Sequence, residues 1–147
     1  MTLKPFLFSA LAGLVLHACI TTDQPDADLV GAVTRVRDGD TIEVSGVPVR
    51  LQGLTCDERG SPLGDSATRA MKALVRGKAV SCDLTGEKTY DREVGRCSLP
   101  DGRDLGIVLI AQGQCGRCAQ YDRGGAYFSV QRAAGPFRGK MPGYCNP

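Results

Sequence analysis

The sequence predicts a mainly β domain, a five-stranded barrel with two to three helices that disulfide bonds hold together. Three observations carry this prediction. Short runs of alternating apolar and polar residues, separated by Gly-containing turns, are typical of antiparallel strands. Two other apolar runs have helical spacing. Seven cysteines in 147 residues are typical of a small exported domain.

The first 18 residues are predicted to lie outside the fold, as a signal peptide. Lys4 gives this segment a positive start, and an apolar run follows at 6–16. The run ends in Leu-His-Ala-Cys, which resembles a bacterial lipobox whose cysteine, here Cys19, becomes the lipidated N-terminus. We therefore expect attachment to the bacterial cell envelope through a lipid anchor. An ordinary secretory signal, with a periplasmic or secreted domain, is the alternative.

The mature chain is predicted to consist of a tether and one domain. Residues 19–30 are mostly polar and contain a proline, which suits a tether. The domain is assigned to residues 31–147, and we expect it to be a monomer. The formal net charge of the chain is only +2, and strong nucleic-acid binders usually carry more positive charge. The charge therefore permits an anionic ligand without indicating one.

Five strands are predicted in the domain. Each is a short run, alternating or rich in β-branched residues, that ends at a turn or a polar loop. The first three follow one another closely, as in an antiparallel meander. The five predicted strands cover residues 32–36, 41–44, 47–51, 79–84 and 93–99.

Two helices and a shorter third one are predicted between and after these strands. The first has an apolar stripe at helical spacing and begins at Asp65 or Ser66 as its N-cap. The second is capped by Asp104 and covers 105–111, and the third covers 126–133. The resulting order, three strands, helix, two strands, helix, matches a five-stranded, partly open barrel of the OB type.

Six cysteines remain after Cys19, and an even number in a small exported domain predicts disulfide bonds. Cys82 and Cys97 lie in the fourth and fifth predicted strands, which flank one loop. Opposed positions of such strands bring Cβ atoms within bonding reach, so we predict that these two cysteines pair. The other four are Cys56, Cys115, Cys118 and Cys145.

The pairing of those four stays open. Cys56 is predicted to join Cys115 or Cys118, and Cys145 to join the remaining one. The Cys115-Gly-Arg-Cys118 spacing also suits a zinc ligand pair or a thioredoxin-like redox pair. Zinc is disfavoured, because the chain has no second pair with this spacing and its one histidine is His17. The redox role is disfavoured, because it needs a reactive thiolate at a helix N-terminus and these cysteines follow the end of a predicted helix.

Three charged motifs follow one another along the domain. They are Asp38-Gly39-Asp40-Thr41, the segment 50–58 (Arg-Leu-Gln-Gly-Leu-Thr-Cys-Asp-Glu) and Tyr90-Asp91-Arg92. Carboxylates can hold a hard cation, guanidinium groups bind phosphate oxygens, and a further carboxylate can activate water. The set therefore suits phosphodiester chemistry. Its order and spacing resemble the thermonuclease (staphylococcal-nuclease-like) family over residues 33–121.

The resemblance implies a calcium-dependent nuclease that hydrolyses phosphodiester bonds of DNA or RNA. It implies that Asp40 ligates the metal and that Glu58 is the general base. Arg50 and Arg92 would bind the phosphate and stabilise the charge of the transition state. The residues that would contact the nucleotide are Tyr90 and Tyr121.

The chain departs from the family pattern near Glu58. Thr55 stands where the family has its second calcium-ligating Asp, and Cys56-Asp57 stand where it has Thr-Pro or Ala-Pro. The loss of one negative charge is expected to weaken cation binding, unless Asp57 or an oxygen of Thr55 compensates. The alternative function is therefore a non-catalytic OB-type module that binds nucleic acid or a cell-envelope partner.

Overall fold

The structure, a computed structural model, describes residues 26–145. The predicted signal peptide and the lipidation site Cys19 lie outside these residues. Within residues 26–145, no helix is both long enough and apolar enough to cross a membrane.

Seven strands, three α-helices and two short 3-10 helices make up the described chain. In order they are β1 (Leu29–Val36), β2 (Thr41–Val44), β3 (Val47–Leu51), β4 (Leu54–Cys56), α1 (Pro62–Val75), β5 (Ala79–Thr89), β6 (Arg92–Ser98), α2 (Leu105–Ala111), β7 (Cys115–Arg117), a 3-10 helix Ala119–Tyr121, α3 (Phe128–Ala134) and a 3-10 helix Gly143–Cys145. The predicted mainly β fold with up to three helices is confirmed at this level.

Five of the strands close into a barrel in the order β1, β2, β3, β6, β5. All neighbours in the ring are antiparallel except β3 and β6, which are parallel. Two buried residues of β2, Ile42 and Val44, and two of β3, Val49 and Leu51, alternate with less buried residues and point into the core. Full burial of each such side chain contributes about 1.5–3 kcal/mol.

The first strand begins earlier than predicted. Leu29 is already in register with Cys82 of β5, and the Asp28 carboxylate accepts a hydrogen bond of 2.7 Å from the N–H of Leu84. The pairing with β5 extends the strand toward the N-terminus. The segment 19–30, predicted as a tether, therefore overlaps β1.

Helix α1 also begins earlier than predicted, so the N-cap prediction of Asp65 or Ser66 is wrong. The N-cap is Ser61, whose Oγ accepts a hydrogen bond of 3.0 Å from the N–H of Gly64. Pro62 occupies the first helical turn, where its missing N–H has no cost. Asp65 instead accepts the N–H of Gly60 at 2.9 Å.

A second, two-stranded sheet of β4 and β7 was not predicted. Each of these strands has only three residues, too few to show a period. Their pairing places Cys56 opposite Cys115, and the disulfide between these residues joins the two strands.

Three disulfides confirm the predicted framework. Cys82 and Cys97 face each other across β5 and β6 with an S–S distance of 2.02 Å. Of the open pairings, the structure contains Cys56–Cys115 and Cys118–Cys145. Cys115 and Cys118 thus bond to different partners, so within residues 26–145 they form neither a zinc ligand pair nor a redox pair.

Candidate functional site

Arg50 and Arg92 lie on the same face of neighbouring strands. Arg50 lies between the buried Val49 and Leu51, so its side chain points out of the barrel. It is in register with Val94 of the parallel strand β6. Arg92 precedes Val94 by two residues and therefore has the same orientation. The two guanidinium groups, 42 positions apart in sequence, line one cavity.

This cavity has a volume of about 450 Å³, and we call it the arginine–tyrosine cavity. Its cationic side chains suit an anionic ligand, and its aromatic rings suit a flat one. Two of the tyrosines were predicted as nucleotide contacts, and the third was not. The charged and aromatic residues that line it are Arg50, Glu87, Lys88, Tyr90, Arg92, Tyr121 and Tyr144.

Asp40 lies next to Arg50, and both oxygens of its carboxylate have partners. Its Oδ2 is 2.7 Å from Nη1 of Arg50 and accepts the N–H of Cys56 at 3.1 Å. Its Oδ1 accepts a hydrogen bond of 3.2 Å from Thr41 Oγ1. The pKa of Asp40 is raised to about 7: burial is the largest cause, Arg50 opposes it, and Asp38 adds to the rise. Burial dominates, because a desolvated carboxylate favours its neutral form.

The turn before β2 holds Asp40 in this position. Asp38 Oδ1 accepts the N–H of Asp40 at 3.1 Å, which forms an Asx turn. A Cβ on Gly39 would collide with Ala67 of α1 and with the Cys56 side chain. The glycine therefore permits the turn to pack against helix and disulfide, and the packing buries Asp40.

Arg92 has a different environment from Arg50. Its Nη1 lies 3.4 Å from Thr41 Oγ1, and its Nε donates to the carbonyl of Thr89 at 3.3 Å. Its guanidinium carbon lies 5.6 Å from the centre of the Tyr90 ring. Within residues 26–145, none of the ion pairs includes Arg92. Arg92 is therefore the arginine of the cavity whose charge is not matched by a carboxylate.

Tyr90 is presented by the turn between β5 and β6. Its φ is 58°, a left-handed conformation that is unfavourable for an aromatic residue, and 94% of the residue is exposed. The next residue, Asp91, accepts a hydrogen bond of 2.8 Å from Arg37 Nη1. This contact ties the turn to the end of β1 and so keeps Tyr90 at the rim of the cavity.

Tyr121 and Tyr144 also line the cavity, and together they form what we call its aromatic side. Their ring centroids are 6.1 Å apart, with an edge-to-face angle of 68°. Tyr144 was not predicted from the sequence. The signal lay in the cysteines: Tyr144 directly precedes Cys145, and Cys118 lies three residues before Tyr121. Once Cys118 and Cys145 are paired, the two tyrosines must be close.

Glu58 is not brought into the cavity. It lies exposed between β4 and α1, and among residues 26–145 it is not part of the cavity lining. Its carbonyl accepts the N–H and the Oγ of Ser61 at 3.2 and 2.9 Å. A Cβ on Gly64 would collide with this carbonyl, so the glycine lets the Glu58 segment pack on the first turn of α1.

Asp40 and Asp57, the acids named for the predicted calcium site, both have protein partners in the structure. Asp57 accepts the N–H of Lys140 at 2.7 Å and is thereby tied to the C-terminal segment. Thr55 is 3% exposed and pairs with Gly116 in the small sheet. Residues 26–145 contain no group of three or more His, Cys, Asp or Glu side chains that could hold a metal ion. Because Asp40 is paired with Arg50, the described residues present no ready-made cluster of acids for a calcium ion.

Arg96, a second arginine of β6, is held in the structure by Asp104 and Tyr127. Its Nε and Nη2 donate to the Asp104 carboxylate at 3.2 and 2.9 Å, and its guanidinium carbon lies 5.1 Å from the centre of the Tyr127 ring. Asp104 also caps α2 by accepting the N–H of Ile107 at 2.9 Å. Arg96 therefore fastens α2 and Tyr127 to the barrel, and it lies outside the arginine–tyrosine cavity.

The fold and site together define a small β-barrel protein with three disulfides and a cationic, aromatic cavity. No family model matches the chain. Succinoglycan biosynthesis protein ExoI of Rhizobium meliloti (strain 1021) is 33% identical over 134 residues, which cover 83% of this chain and 70% of that protein. The chain therefore belongs to the same family as this protein.

Two further relatives are both named "Uncharacterized endonuclease". They come from Escherichia coli and from Escherichia coli O157:H7, and each is 35% identical to the chain over 100 residues. The match covers 65% of this chain and 65% of each relative. The chain thus spans about two thirds of the length of these two relatives.

Proposed function

We propose that the protein is a nuclease that hydrolyses phosphodiester bonds in DNA or RNA, on an OB-type barrel of the thermonuclease kind. One observation carries the proposal: Arg50 and Arg92, from separate motifs, line one cavity together with tyrosines. The closed five-stranded order and the relatives with endonuclease names support it.

In the proposed reaction the two arginines have unequal roles. Arg92, which has no carboxylate partner among residues 26–145, binds the phosphate first. Arg50 joins it at the cost of its contact with Asp40, and both guanidinium groups then offset the charge that builds up on the phosphate oxygens in the transition state. Glu58 remains the proposed general base, and its segment must turn toward the cavity for this role. No step is assigned to calcium.

We also propose that the protein is exported and attached to the cell envelope by a lipid on Cys19. Three disulfides support an oxidising compartment, because cytosolic thiols are kept reduced.

A cleavage assay tests the proposed activity. A labelled single-stranded DNA is incubated with the purified protein in calcium and, separately, in EDTA. We expect cleavage by the parent and a loss of about 10²- to 10³-fold for Arg92→Ala, since one charge-stabilising group is removed. Arg69→Ala, an exposed arginine on α1, is the matched control and should cleave like the parent. Absence of cleavage by the parent in both conditions would overturn the enzyme proposal.

The second candidate function is a binding module without catalysis. Two observations favour it: Glu58 lies outside the cavity lining, and Asp40 is bonded to Arg50. Such a module would bind single-stranded nucleic acid in an Arg92-dependent and salt-dependent way without cutting it. If only an acidic cell-envelope polysaccharide binds, both nucleic-acid candidates are wrong.

A further inference from the structure

The aromatic side of the arginine–tyrosine cavity contains a residue that the motifs do not include. We propose that Tyr144 is a nucleobase-stacking residue, fixed in the cavity by the Cys118–Cys145 disulfide, and that it directs the cavity toward unpaired nucleotides. This inference rests on the proposed function, because it specifies which form of nucleic acid the same cavity accepts.

The first observation that supports a stacking role is the exposure of the two tyrosine rings. Tyr121 is 46% exposed and Tyr144 is 59% exposed, although both rings line the cavity. Because the rings meet edge to face, their contact leaves ring surface open. An apolar, flat partner is what such surface binds best, and a nucleobase is one.

The second observation is that the C-terminal segment, which carries Tyr144, is attached to the rest of the domain. Cys145 closes the short helix 143–145, and its disulfide reaches Cys118, which directly precedes the helix that ends at Tyr121. Upstream, the N–H of Lys140 is held by Asp57 at 2.7 Å. The segment that carries Tyr144 is thus fixed on both sides. A ring held in place loses little entropy when a base stacks on it.

The third observation is that the arginines line the same cavity as the two tyrosines. Arg50 and Arg92 belong to strands β3 and β6, whereas the two tyrosines belong to the segments after β7, and all four line the same cavity. A phosphate on the arginines therefore places the attached nucleotide beside the tyrosines. In a duplex both faces of a base are already stacked, so stacking on tyrosine requires an unpaired base.

The test compares three phosphorothioate ligands in a binding assay: octathymidylate, an abasic strand of equal length and the eight-base-pair duplex of the self-complementary octamer GCGCGCGC. For Tyr144→Ala we expect the Kd for octathymidylate to rise at least about fivefold, the effect of losing one base–aromatic stack. The Kd for the abasic strand should not change. Tyr144→Phe should bind like the parent, and the parent should bind the duplex more weakly than the single strand.

Phe128→Ala is the matched control, since Phe128 is an exposed aromatic residue, 54% exposed, outside the cavity lining. The double variant Cys118→Ala/Cys145→Ala tests the role of the disulfide. It should weaken octathymidylate binding as much as Tyr144→Ala does, and adding Tyr144→Ala to it should cause no further loss. The thermal melting of each variant shows that it is folded.

The outcomes separate this inference from the proposed function. If Arg92→Ala weakens binding but Tyr144→Ala does not, the stacking role of Tyr144 is wrong and the proposed function stands. If the double cysteine variant folds and binds like the parent, the fixation by the disulfide is wrong. If the parent binds none of the three ligands, the proposed function itself fails.

Discussion

The Oδ2 atom of Asp40 lies 2.7 Å from Nη1 of Arg50, and both side chains are largely shielded from solvent. An anion that binds Arg50 must therefore compete with this carboxylate. Arg92, on the same face of the barrel, has no such competitor among the ion pairs of the described residues. The protonation state of Asp40 thus sets how strongly Arg50 can bind a phosphate.

The first prediction concerns stability and pH. Burial raises the pKa of Asp40 from 3.8 to about 7, so between these values the native protein holds a proton that the unfolded chain has released. The stabilising contribution is complete below about pH 4 and is lost as the pH rises to about 7. Relative to Asp40→Asn, we expect the free energy of unfolding of the parent to fall by a few kcal/mol between pH 4.5 and 8. Urea denaturation measures it; a constant difference would contradict the prediction.

The second prediction concerns phosphate binding and pH. Below about pH 7 a neutral Asp40 releases Arg50, so a thymidine dinucleotide, whose phosphodiester charge is constant in this range, should bind more tightly at pH 6 than at pH 8. Asp40→Asn should bind equally at both. Calorimetric titration measures both Kd values, and an equal pH dependence in parent and variant would show that another group controls Arg50.

The third prediction concerns calcium. Thr55→Asp places a carboxylate at a position that is 3% exposed, so we expect the variant to melt at a lower temperature than the parent in EDTA. Calcium should raise the melting temperature of Thr55→Asp much more than that of the parent. At low calcium concentration, Thr55→Asp should also cleave nucleic acid faster than the parent does. Thr55→Asn, which adds no charge, is the control. If calcium leaves the Thr55→Asp melting temperature unchanged, the calcium prediction fails for this site.

The fourth prediction compares two disulfides. Cys56–Cys115 closes 59 residues and Cys82–Cys97 closes 15. Loop-closure entropy then predicts a loss of about 4 kcal/mol for Cys56→Ala/Cys115→Ala and about 3 kcal/mol for Cys82→Ala/Cys97→Ala. Guanidinium denaturation measures both values. The opposite order would mean that packing of the barrel core, where Cys82 and Cys97 lie, outweighs chain entropy.

The fifth prediction concerns the anchor. Cys19→Ser removes the acceptor of the lipid, so we expect the protein to move from the membrane fraction to the soluble fraction of the cells that produce it. Fractionation followed by immunoblotting measures this distribution. His17→Ala, which leaves the cysteine in place, is the control. Membrane retention of Cys19→Ser at the level of the parent would contradict the lipobox interpretation.

Much of the barrel could be predicted from local patterns. The bounds of β2 and β3 and the N-cap Asp104 of α2 were predicted correctly, because period-two alternation and capping are properties of neighbouring residues. The start of α1 after Ser61 was missed, because the apolar stripe from which the helix was predicted begins only at Ala67, five residues after Pro62. The strands β4 and β7 were missed, because a three-residue strand exists only through its partner.

The sequence by itself determined the chemical groups of the candidate site: two arginines, Asp40 and two of the tyrosines. It also determined that Arg50 alternates with apolar neighbours on its strand and therefore points out of the core. Tertiary structure alone decided how these groups are used. The parallel pairing of β3 with β6 placed Arg92 beside Arg50, the packing of the turn before β2 placed Asp40 against Arg50, and a disulfide brought Tyr144 to Tyr121. The physical reason is that charge, pKa and stacking depend on which groups meet and how much water remains between them, and those distances arise from contacts between residues far apart in the chain.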